Sequence, residues 1–118
     1  MGLVQEMPRQ ERPLSEQYRL TANAWVDADA AARLLEEMKT TKLEQEKTKL
    51  FDRHGDMPDN RAERIVKASP AWELFIKQMV EAKTEANRLK AQLAVISMRE
   101  RELADRNATI RAEQRLTR

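Results

Sequence analysis

The sequence predicts an all-α protein: a long helical hairpin with coiled-coil-like packing that assembles as an oligomer. Three observations predict it. Charged residues make up 36% of the chain, aromatics only 4%, and glycine occurs twice, a mix that favours long helices over strands. Between Glu16 and Arg53 there is neither proline nor glycine. From Phe75 to Ile110, Phe75, Met79, Ala82, Ala86, Leu89, Leu93, Ile96, Glu100, Leu103, Asn107 and Ile110 recur at alternating spacings of four and three, which is a heptad seam.

Residues 1–14 read as a flexible arm. Pro8 and Pro13 discourage regular structure, while Leu3, Val4 and Met7 offer apolar side chains to a neighbour. Ser15 is the expected N-cap of a first helix over about 16–53. Trp25, Ala28, Ala32, Leu35, Leu43 and Leu50 give that helix its apolar stripe. Beyond Met38 the stripe is diluted by Lys39, Lys42, Gln45 and Glu46, so the helix is expected to leave the core there as a solvated arm.

A turn is expected over 54–60. Gly55 suits a left-handed helix C-cap and Pro58 forbids continuation. Asp59 or Asn60 then caps a short helix over about 61–68. Ser69-Pro70 starts the last helix, over about 70–115, with a cap oxygen followed by a proline at the first helical position. Trp72 and Ile76 widen the apolar stripe at its beginning. Glu100 and Asn107 weaken the seam near its end, where Arg99, Arg101, Arg106, Arg111, Arg115 and Arg118 make the helix basic. Those arginines either complement the helix dipole or form a polyanion-binding tail.

A lone hairpin with few large apolar residues would bury little surface. Pairing between chains is the natural remedy. The expected interface is Trp25, Leu35, Trp72, Phe75, Met79, Ala82, Ala86, Leu89, Leu93, Ile96 and Leu103. Which of these pair within a chain and which between chains is left open by sequence.

The chain carries a net charge of +2 and no cysteine. Structural disulfides and thiolate metal sites are therefore excluded. One histidine, three serines and two glycines cannot assemble a nucleophile–base pair or a phosphate loop. A non-enzymatic protein without cofactor or metal is expected. No apolar run is long enough to span a bilayer, and the first residues lack a signal-peptide core, so a cytoplasmic location is the default.

The segment Lys47-Thr48-Lys49-Leu50-Phe51-Asp52-Arg53-His54-Gly55 has two readings. In the plainer one, its cations complement the C-terminal dipole of a helix that Gly55 closes. In the other, Lys47, Lys49 and Arg53 contact phosphates and Phe51 stacks on a base.

The order of features around Lys47-Thr48-Lys49-Leu50 and Gly55, with Arg61–Ser69 next and Ile96-Ser97-Met98-Arg99 at the end, resembles the phage recombination mediators of the UvsY type. The resemblance covers roughly residues 20–100. It implies single-stranded DNA binding, a ring-like homo-oligomer, and loading of a RecA-like recombinase onto DNA coated with single-strand-binding protein. By position, Lys47 and Lys49 would be the phosphate contacts. The proline-containing arm and the charged tail after Arg99 depart from that pattern.

The first functional expectation is thus a single-stranded-DNA-binding recombination accessory protein. The alternative is a helical protein–protein interaction protein, either a coiled-coil assembly factor or a phage inhibitor of a host protein. A duplex-DNA binder would need a compact helix-turn-helix trio, which the pattern does not show.

Overall fold

The computed structural model describes residues 12–117, and within them the chain is all-α. Four helices follow in order: α1 (Leu14–Glu37), α2 (Lys39–His54), α3 (Asp59–Lys67) and α4 (Pro70–Leu116). The expected arm over residues 1–14 lies mostly outside the described residues. Contacts divide the chain into one unit of Met1–Trp25 with Asn87–Arg118, and a second of Val26–Ala86.

In the second unit all four helices contribute to one core. Val66 of α3 and Trp72 and Phe75 of α4 are buried together. Leu35 of α1, Leu43 and Leu50 of α2 and Ile76 of α4 pack against them. The Trp72 and Phe75 rings lie 5.6 Å apart at 37°, a tilted contact within the favourable range for aromatic pairs. Lys83 of α4 donates to Glu36 of α1 at 3.2 Å on the rim of this unit.

The expected helix over 16–53 is two helices. They meet at Met38, whose ψ of −5° departs from the helical value near −42°. The Met38 N–H still donates to Leu34 at 3.0 Å, and its carbonyl accepts from Lys42 at 2.8 Å. The junction is therefore a kink within a nearly continuous ladder. Tertiary demand explains it better than any breaker residue: Leu35 precedes the kink, Leu43 and Leu50 follow it, and all three pack on one core. The stretch expected to leave the core as a solvated arm instead returns to it.

Gly55 closes α2, its N–H donating to Phe51 at 2.8 Å. Its φ is 80° but its ψ is −177°. This is not the left-handed helical cap that the sequence suggests. It is the mirror-extended region, open essentially to glycine alone.

Ser69 performs its expected role. The Trp72 N–H donates to Ser69 Oγ at 3.3 Å, and the hydroxyl donates onward to the Val66 carbonyl at 2.6 Å. Ser15 does not cap α1. The Pro13 carbonyl accepts the N–H groups of Glu16 and Gln17, each at 3.0 Å, and the Gln17 side chain donates to the Arg12 carbonyl. Asp59 does not cap α3 either, because no side-chain cap bond is made there.

Burial along α4 follows the heptad seam. Phe75, Met79, Ala86, Leu89 and Ile96 are buried, and Ala82 and Leu93 are partly so. In the first unit, Gln17 and Thr21 of α1 are buried alongside Leu89 and Ile96 of α4. Every described residue from Met98 onward is exposed.

Candidate functional site

The face of α2 and the free end of α4 are the two regions where sequence places functional residues. On α2 the motif Lys47-x-Lys49 divides. Residues two apart on a helix point about 200° away from each other. Lys47 accordingly turns inward and Lys49 outward.

Lys47 is only 4% exposed. Its ammonium donates to both carboxylate oxygens of Asp59, at 3.1 and 3.3 Å, and to Glu44 at 3.4 Å. The hydrogen bond to Asp59 holds the Lys47 ammonium above its ordinary range, against the opposing effect of burial. Asp59, expected as a helix cap, is thus the far end of a strut between α2 and α3. A phosphate could reach Lys47 only by displacing two carboxylates.

Lys49 and Arg53 share the outer face, four residues apart. Together with Lys42, His54, Ile65 and Ser69 they line an open groove of about 390 Å³ between α2, α3 and the start of α4. Lys49 and Lys42 both donate to Glu46 at 3.2 Å. Burial acts to raise the Glu46 carboxyl, but the two lysine hydrogen bonds outweigh it and hold the group below its usual range. Arg53 makes no ion pair among the described residues. Phe51 is half-buried and does not line this groove, so it is not placed to stack on a base held by Lys49 and Arg53. Sequence reasoning missed Lys42, although its spacing of seven and eleven from Lys49 and Arg53 puts it on their face.

These pairs set a pH dependence. Glu46 is depressed below 4.5, as is Glu63, mainly through its hydrogen bond from Lys67. A depressed carboxyl stabilises the fold above its unfolded pKa and loses that contribution as pH falls through the folded one. Lys47 is raised above 10.5, so its contribution is complete below that value and is lost as pH rises through the folded pKa. Urea midpoints are therefore expected to be flat between those limits and to decline on either side. Glu46→Gln/Glu63→Gln should shrink the acid limb by about 0.3 M in midpoint, because pairs whose lysines reach solvent are weak. An unchanged acid limb would show that these carboxylates are not depressed.

The expected interface residues also separate. Trp72, Phe75, Met79, Ala86, Leu89 and Ile96 are buried by the chain itself. Trp25, Leu35, Ala82 and Leu93 are partly covered. Leu103 is 45% exposed, as is Ile110 one heptad later. What the seam offers a second molecule therefore begins after Ile96.

Among the described residues no cluster of His, Asp and Glu is arranged to hold a metal, and no helix is long and apolar enough to cross a membrane. No family model matches the chain, and comparison with the curated proteins and with the solved structures finds no match.

Proposed function

We propose that this chain is a non-enzymatic helical interaction protein that presents the end of α4 to a protein partner. One observation carries the reading. The helix runs to Leu116, yet every described residue beyond Ser97 is exposed. Met98, Leu103, Ile110 and Leu116 are large apolar side chains on that stretch. A helix of about 20 residues with so little burial is marginal in water. A partner helix or groove that covers Leu103 and Ile110 supplies the missing burial.

Site-specific photocrosslinking tests this in the cell that makes the protein. A photoreactive phenylalanine analogue at Leu103 or Ile110 should yield a discrete protein adduct. The same analogue at Leu34 or Leu74, which are even more exposed on the other unit, should not. Adducts absent at Leu103 and Ile110, or equal at all four positions, would sink the proposal.

The second reading is single-stranded DNA binding on α2. The groove of Lys42, Lys49 and Arg53 favours it, since three cations there face a single carboxylate, Glu46. It is the weaker reading because Lys47 is committed to Asp59 and Phe51 lies off the groove. Oligo-dT binding that falls steeply with salt and is lost in Lys49→Ala/Arg53→Ala would restore it. Recruitment of a RecA-like recombinase or a single-strand-binding protein would follow only from that result.

A further inference from the structure

The first unit holds a groove that the sequence did not suggest. Two adjoining cavities, each of about 460 Å³, lie between the start of α1 and the second half of α4, and they share Gln17 and Arg99. On α4 the lining runs from Arg88 to Arg106, a span of about 27 Å at 1.5 Å per residue. That is the length of a five-turn helix.

The buried part of the lining is Gln17, Thr21 and Ile96, and Leu14, Val95 and Leu103 add apolar surface nearer the solvent. The rim carries four arginines, Arg12, Arg88, Arg99 and Arg106, and one carboxylate, Glu102; Arg12 pairs with Glu16 at 3.6 Å. Arg99 and Arg106 make no ion pair among the described residues. They sit one heptad apart, each four residues from the seam residue Leu103 or three from it. Their side chains therefore alternate with Val95 and Leu103 along one face of α4. The lining contains no aromatic residue, so it lacks the stacking surface that single-stranded nucleic acid uses.

We infer that this groove receives an acidic amphipathic helix of a partner protein, its apolar stripe on Val95 and Leu103 and its carboxylates on Arg99 and Arg106. The inference rests on the interaction reading above and names the chemistry of the partner. An apolar stripe alone would fit many helices. The arginine rim selects those with Glu or Asp beside the stripe and repels those with Lys or Arg.

The test uses the full chain and a fluorescein-labelled peptide with Leu repeated on one helical face and Glu on both flanks. Fluorescence anisotropy should show saturable binding that weakens with salt. Arg99→Glu/Arg106→Glu should weaken it about tenfold or more, with thermal unfolding unchanged because both side chains are exposed. The same peptide with Lys in place of Glu should not bind. Equal binding of the two peptides, no binding of the acidic one, or indifference to the double variant would overturn the proposal. So would displacement of the peptide by oligo-dT, which would assign the groove to nucleic acid. Crosslinks at Leu103 with a failed peptide would leave an interaction protein whose partner is not an acidic helix. Absent crosslinks would remove the interaction reading itself.

Discussion

Trp72→Ala is expected to lower the unfolding free energy by about 3–5 kcal/mol, the usual cost of truncating a buried aromatic. Trp72 is 6% exposed, stacks obliquely on Phe75, and belongs to the one cluster to which all four helices contribute. Removing it takes away transfer energy and leaves a cavity that helices pinned at three junctions cannot fill by collapsing. Domains of this size are stable by only about 5–15 kcal/mol, so the loss is a large fraction of the total. Chemical denaturation followed by far-ultraviolet circular dichroism measures it. Leu74→Ala, two residues away but exposed, should stay within about 0.5 kcal/mol of the parent. A cost below about 1 kcal/mol for Trp72→Ala would mean that the four-helix cluster is not the centre of stability.

Gly55→Ala is expected to cost about 1–3 kcal/mol. An added Cβ would meet nothing within 4 Å, so crowding is absent and the cost is purely that of the backbone. The same geometry gives a sharper expectation. Asparagine often replaces glycine at a left-handed cap, but a ψ of −177° lies outside the region asparagine tolerates. Gly55→Asn should therefore be nearly as damaging as Gly55→Ala. Thermal unfolding of the two variants decides the point. If asparagine largely rescues stability, the residue is an ordinary left-handed cap.

Much of the fold is legible where local chemistry and tertiary packing agree. The heptad spacing from Phe75 to Ile96 is read directly because a helix that packs on one side must repeat its apolar residues at that period. Ser69-Pro70 is equally plain, since cap and first-turn chemistry are local. The kink at Met38 is not legible. Neither glycine nor proline marks it, and the need for Leu35, Leu43 and Leu50 to meet one core appears only once that core exists. Lys47 misleads for a related reason. A lysine in a charged helical stretch reads as solvated, and its partner Asp59 lies across a turn where it reads as a cap. The arginine-rimmed groove was hidden because Arg12 and Arg106 are brought together only by folding, although the basic character of the last turns of α4 was visible.

The exposure of α4 beyond Ser97 has a kinetic consequence. Backbone amides of that helix up to about Ile96 lie among buried seam residues and exchange with solvent water only when the local packing opens. Those beyond it are protected mainly by helical hydrogen bonds, which fray from the end. A single run of regular backbone therefore spans two regimes of amide exchange. A bound partner would report itself by slowing the second regime towards the first.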